Sequence, residues 1–282
     1  MTLALRRRVA ARVAVVDRSL EELPLFRLSD SADEGAVTFQ TANGGRWRVL
    51  PAPGDRLPGT FDQDVYVELM HRFHEAGTPT DGVVTFTLHA FLRAMGRKVD
   101  GRTYEQLRAA LTRLERTTLE SSGSYLSGPE ALPVATRFTI LSSVAIERRR
   151  ISEREQLPLF PMISTAEPGV ARVAIAPAVR DNILAHRCAT LNLQQYLALP
   201  SPVARRLCRL LAVARADDVV TWRVSLERLR DQLPLVQRFP SHLQRVLQPA
   251  HVMLRNAGLV RSASIRQHNR EWFVDYVLGS RK

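Results

Sequence analysis

His71 and His74 lie three residues apart on a stretch of helical period, with Glu68 and Glu75 beside them, and imidazole with carboxylate at that spacing is a donor set able to hold a metal ion. A solvated helix face accounts for the same four residues without a metal. Nucleotide-driven machinery needs the string G-x-x-x-x-G-K-[ST], whose amides and lysine cradle phosphates, and the chain has none. Strand nicking of the rolling-circle kind uses an H-x-H metal pair with a tyrosine nucleophile. None of the seven histidines has another two positions away. Cys188 and Cys208 are the only cysteines, too few for a disulfide framework or a paired-cysteine zinc site. Both are expected in apolar helical surroundings as small core residues rather than nucleophiles. The expectation is a protein that is not an enzyme and needs no cofactor or metal.

The composition favours recognition of a polyanion. The 282 residues carry a formal charge of +12, and Ser201 to Lys282 hold 15 Lys or Arg against 6 Asp or Glu. Arginine outnumbers lysine 38 to 2, which suits forked contacts to phosphate and guanine, although a GC-rich genome produces the same ratio. No apolar run reaches the roughly 20 residues of a membrane span, and Arg6, Arg7, Arg8 and Arg12 break up any signal-peptide core. A soluble, cytoplasmic protein with no membrane partner is expected, large enough for two ordinary domains.

These charges must be positioned by secondary structure. Phe39 to Leu50 is expected to form a hairpin about Asn43-Gly44-Gly45, and Phe61 to Ala76 a helix with Val65, Leu69 and Phe73 on one stripe, stopped at Gly77. Asp62 and Asp64 favour its N-terminus through the helix dipole. Val83-Val84-Thr85-Phe86 predicts a short strand, and Thr87 can N-cap a helix bearing Leu88, Phe91, Leu92 and Met95 up to Gly96. A second helix is expected from Thr103 to Glu120, its stripe made of Leu107, Ala110, Leu111 and Leu114. Arg137 to Leu141, Val144 to Glu147 and Val170 to Ile175 supply strands for a hairpin.

The order recurs. Val219-Val220-Thr221-Trp222 parallels Val83-Val84-Thr85-Phe86, and Ser225-Leu226 with Leu229 and Leu233 parallels Thr87-Leu88 with Phe91 and Met95. Leu247, Ala250, Leu254 and Leu259 match Leu107, Ala110, Leu114 and Leu119 at a constant offset of 140 residues. Val260 to Gln267 and Glu271 to Leu278, joined at His268-Asn269-Arg270, predict a second hairpin. Strand, helix, turn, helix, hairpin is the order of a winged helix, so the expected class is α+β, mainly α: two tandem winged-helix domains with β-hairpin wings. The expected divisions are an N-terminal segment with a hairpin (1–55), a first domain (56–176, with 147–169 as loop or linker) and a second (177–282). Pro249 breaks the pattern, because inside a helix it removes a backbone donor.

Val246-Leu247-Gln248-Pro249-Ala250, preceded by Phe239 and Arg245, resembles a segment in the C-terminal winged helix of plasmid replication initiators that bind iteron repeats. Leu57-Pro58-Gly59-Thr60-Phe61-Asp62-Gln63-Asp64-Val65-Tyr66-Val67-Glu68-Leu69 resembles the opening of the replication initiator protein A family. The resemblance covers roughly Pro24 to Leu278. It implies a protein that binds repeated sites in duplex DNA at an origin, helps open the adjoining AT-rich duplex and attracts host replication proteins, with a homodimer among its states.

Residues off the apolar stripes are the expected DNA contacts: Arg102, Thr103, Gln106 and Arg113 in the first unit, and Arg238, Ser241, Gln244, Arg245, Gln248 and Arg255 in the second. Arg266, His268 and Arg270 join them from the second wing. A solvated helix face explains any one of them equally well. Between the units, Gln156-Leu157-Pro158-Leu159-Phe160 resembles the peptide by which bacterial proteins dock on the sliding clamp, with Gln156, Leu157, Leu159 and Phe160 as anchors. The plainer account is a linker pinned onto the first domain. Glu22-Leu23-Pro24-Leu25-Phe26 is a near copy, either a second ligand or a packing turn. Beside replication initiation stand two other functions: a winged-helix transcriptional repressor or partition-site protein, and an adaptor whose basic surface holds a partner or membrane, against which the tandem repeat argues.

Overall fold

The computed structural model describes residues 11–29, 35–147 and 169–279. The chain runs β1 (Val13–Asp17), α1 (Arg18–Glu21), β2 (Val37–Gln40), β3 (Arg46–Leu50), α2 (Thr60–Glu75), β4 (Val83–Thr87), α3 (Leu88–Ala94) and α4 (Gly101–Arg116). It continues through β5 (Thr118–Ser127), β6 (Leu132–Phe138), β7 (Leu141–Ile146), β8 (Val170–Ile175), α5 (Pro177–Leu184), β9 (Cys188–Asn192), α6 (Leu193–Leu197) and α7 (Pro202–Ala216). β10 (Thr221–Ser225), α8 (Leu226–Gln232), α9 (Pro240–Asn256), β11 (Val260–His268) and β12 (Glu271–Leu278) complete it. The strands form sheets ordered β1-β9, β2-β3-β5-β6, β4-β8-β7 and β10-β12-β11, every pairing antiparallel. The fold is therefore a mixed α/β arrangement rather than a mainly helical one. No helix among the described residues is long and apolar enough to cross a membrane.

Two segments share one path. β4-α3-α4-β7-β8 and β10-α8-α9-β11-β12 run strand, helix, helix, hairpin, and in each the last strand lies between the first and the fourth element. Thr87 and Ser225 accept from the backbone amides of Ala90 and Arg228, which starts each short helix immediately after its strand. Leu107, Ala110 and Leu114 on α4 and Leu247, Ala250 and Leu254 on α9 are all buried, so the two long helices present matched seams to their sheets.

The boundaries differ from the sequence expectation in four places. α4 stops at Arg116, because Thr117 turns extended and β5 begins at Thr118, so Leu119 continues the seam from a strand. Arg137-Phe138 belongs to β6, which pairs with β5 outside the repeated unit. β10 starts at Thr221, while Val219 and Val220 stay exposed, so the second strand aligns with the first through its cap and not through the Val-Val pair. α9 runs unbroken through Pro249, which sits on its exposed side.

A polar seam runs through the interior. On β1, Asp17 is fully buried and accepts from the Ser19 amide (2.9 Å), the Asn182 amide (3.2 Å) and the Tyr125 hydroxyl; burial pushes its carboxyl up to about 7. Glu21 on α1 receives Arg209 at 2.7 Å and Arg206 at 3.1 Å, both from α7, and all three side chains are buried. Arg206 also donates to the carbonyls of Leu23 (2.8 Å) and Gln232 (3.3 Å), and Arg209 to Gln63 of α2 (3.3 Å). Burial, with the Arg209 cation beside it, pulls Arg206 down to about 9. On α2, Asp64 binds Arg97 (2.6 Å), Tyr196 (3.0 Å) and Arg205. The seam thus ties α1 and α2 to α6, α7 and the end of α8.

Other expectations are corrected by the same packing. Glu68 and His71 form no solvated face: Glu68 is buried and binds Arg12 (2.7 Å) and Arg72 (2.9 Å), while His71 contacts the Val13 carbonyl (2.7 Å). Asp62 and Asp64 are buried partners of arginines as well as acids near a helix start. Cys208 is a buried helical residue, but Cys188 lies on strand β9 and is partly exposed. Leu23, Leu25 and Phe26 are buried, so Glu22 to Phe26 is a packing turn and not a free ligand.

Candidate nucleic-acid interface

α9 is amphipathic by construction. Leu243, Leu247, Ala250, His251 and Leu254 face the core, and Ser241, Arg245, Gln248 and Arg255 fall on the open side, with Arg238 exposed just ahead of the helix and Gln244 at its margin. His251 donates to or accepts from the Tyr276 hydroxyl at 2.9 Å across β12, and burial pulls its imidazole down to about 4, so it is neutral near pH 7. Pro240 at the first helical position presets the backbone, and although Phe239 before it supplies no side-chain cap, its carbonyl accepts from the His242 and Leu243 amides at 3.0 Å each.

The β11–β12 hairpin projects beside this helix. His268 pairs with Glu271 across Asn269-Arg270, both at positive φ (47° and 71°), the geometry of a tight turn with matched twist. Arg266, His268 and Arg270 are all exposed. Among the described residues, Arg238, Arg245, Arg255 and Arg270 have no carboxylate within ion-pair distance. Unneutralised arginines on one helix face and one hairpin tip form a surface suited to phosphate and base edges.

The equivalent face of the first repeat is chemically different. Arg102 and Gln106 are exposed on α4 as expected. Thr103 is half-buried and engaged in a capping box with Asp100, its amide donating to that carboxylate at 2.9 Å. Arg113 does not belong to the open face: its side chain is 11% exposed and pairs with buried Asp62 at 2.7 Å, fastening α4 to α2. Position 113 flanks the buried Leu114, which is why a helix count places it outside the seam while packing draws it in. Arg108 pairs with Glu105, and Arg116 with Asp55. At the 140-residue offset, Glu105 and Glu115 stand where α9 carries Arg245 and Arg255.

Sequence reasoning missed Phe239 and Val236 as surface features; both are exposed at the entry to α9. The available clue was an apolar pair between the two helices, off either seam. Gln156, Leu157, Leu159 and Phe160 lie outside the described residues.

Comparison with known proteins agrees with this arrangement. A crystal structure of selenomethionine derivatives of domain 2 and domain 3 of RctB matches with a TM-score of 0.59 at 10% identity, covering 93% of this chain and 98% of that one. A second structure of RctB domains 2-3 matches with a TM-score of 0.53 at 12% identity, covering 93% and 96%. The Pi initiator protein in complex with iteron DNA matches with a TM-score of 0.47 at 13% identity, covering 78% and 95%. The two RctB likenesses show a shared fold. No curated protein matches the chain. The family model described as replication initiator protein A matches residues 16–247, from the end of β1 through the first repeat to the middle of α9 in the second, and the chain belongs to that family.

Proposed function

We propose that the protein is a replication initiator whose two repeated strand-helix-helix-hairpin units are winged helices, and that it binds repeated sites in duplex DNA at an origin without catalysing a covalent step. The observation that carries this reading is the open face of α9 with the β11–β12 tip, where arginines stand without carboxylate partners among the described residues, on a protein of net charge +12. A helix about 10–12 Å across fits the roughly 12 Å width of a major groove, the 17 residues of α9 extend about 26 Å along it, and the basic hairpin at its side is placed for flanking phosphates. Family membership supports initiation over a purely regulatory role, and the Pi initiator's complex with iteron DNA is a precedent for the target. In a host lacking another origin, a plasmid carrying this gene with its upstream flanking DNA should persist. Failure to persist, with repression of a reporter placed behind the same DNA, would transfer the assignment to a regulator.

Recruitment of host replication proteins belongs to the same proposal, with Gln156, Leu157, Leu159 and Phe160 as a sliding-clamp peptide supported by its sequence. Wild-type chain should retain purified clamp on a resin and Phe160→Ala should not. Equal recovery by both removes the clamp from the partner set.

A further inference from the structure

Phe239 is 67% exposed and Val236 is 54% exposed, and they occupy the turn between α8 and α9. Neither contributes to the core, which in this turn is supplied by Leu233 and the half-buried Leu235. Phe239 is the N-cap of α9, immediately before Pro240, whose ring fixes the backbone that carries it. Its ring meets His242 edge-on at 5.7 Å, a contact that orients the ring without covering it. Arg238 precedes it and Ser241 and Arg245 follow on the exposed face, so this apolar patch is set among cations that have no carboxylate partner among the described residues.

From this placement we infer that Phe239 is a specificity-determining residue that packs against the C5-methyl group of a thymine in the major groove. The inference rests on duplex binding by α9. The N-terminal residues of a groove-lying helix are those that reach base edges. Apart from the small C5–H of cytosine, the other major-groove edge groups that distinguish the bases are polar donors or acceptors, and the thymine methyl is the one apolar group that projects into the groove. An aromatic ring held at the helix entry by a proline therefore has one chemically matched contact there, and the surrounding arginines favour a polyanion over an apolar protein surface.

The test uses the full chain and a duplex enriched from a randomised library, resynthesised with deoxyuridine replacing thymine at one position at a time. Removing a contacted methyl should lower wild-type affinity about fourfold at one position or two adjacent ones. Phe239→Ala should bind the thymine and uracil duplexes equally, with its salt dependence unchanged, and Phe239→Leu should recover part of the discrimination. Equal wild-type affinity for every uracil duplex overturns the inference and leaves the patch to another occupant. So does a thymine preference that survives in Phe239→Ala. A library that yields no enriched duplex refutes DNA binding itself, a result distinct from enrichment without methyl dependence.

Discussion

Glu21→Gln should destabilise the protein by about 3–5 kcal/mol, more than any single substitution on the proposed DNA-facing surface. The carboxylate is fully buried and is the counter-charge for Arg206 and Arg209, both at 1% side-chain exposure. Glutamine keeps the shape and one acceptor, so the loss isolates the charge. Two guanidinium groups would then share a dry site, with carbonyl oxygens, Gln63 and the faces of Phe26 and Tyr66 as their remaining partners. With total stabilities of about 5–15 kcal/mol the rule, the variant should unfold roughly 10 °C below wild type by calorimetry. Glu21→Gln/Arg209→Met, which removes one stranded cation as well, should be less destabilised than the sum of its single substitutions. A loss below about 1 kcal/mol for Glu21→Gln would show that the triad is hydrated or dispensable.

The position of that triad gives it a second consequence. Arg206 reaches the chain after α1 and the end of α8, and Arg209 reaches α2, so one cluster holds elements packed against both repeats. Under the proposed function, two units fixed relative to one another would read successive grooves only at one spacing, and their linkage would raise the effective concentration of the second contact.

Much of this was legible in the sequence for local reasons. Thr87 and Ser225 announce helix starts through their hydroxyls, Gly44 (φ +82°) supplies the hairpin turn, and the Leu/Ala seams repeat because helix packing needs them at 3.6-residue spacing. What was hidden depends on partners distant in sequence. Glu120-Ser121-Ser122-Gly123-Ser124 lacks a strand's apolar pattern, and it becomes β5 because β3 and β6 flank it and Ser121 and Ser124 satisfy one another and nearby backbone. The burial of Arg206, Arg209 and Arg113 was invisible for the same reason, since arginine is exposed by default and each acid partner lies 51 to 188 residues away. The second repeat's exposed face was read more accurately than the first's, because few acids near it in space compete for its arginines.

That contrast predicts an asymmetry in DNA binding. Arg245→Glu/Arg255→Glu gives α9 the acids that α4 carries at Glu105 and Glu115, and it should lower affinity for a selected duplex at least about 100-fold, with a salt slope smaller by about two. The single substitutions separate the roles. Arg245→Ala, on the helix face, should relax base preference at one position, whereas Arg270→Ala, at the hairpin tip, should weaken all sequences alike and lower the slope by about one. On the first repeat, Arg102→Ala should have the smaller effect, because the neighbouring cations Arg108, Arg113 and Arg116 are already neutralised and offer little field to reinforce it. Glu105→Gln should strengthen binding modestly by releasing Arg108. Fluorescence anisotropy over a salt series measures each quantity. If Arg102→Ala costs as much as Arg245→Ala, ion pairing does not decide which unit dominates, and the two faces contribute as equals despite their different charge.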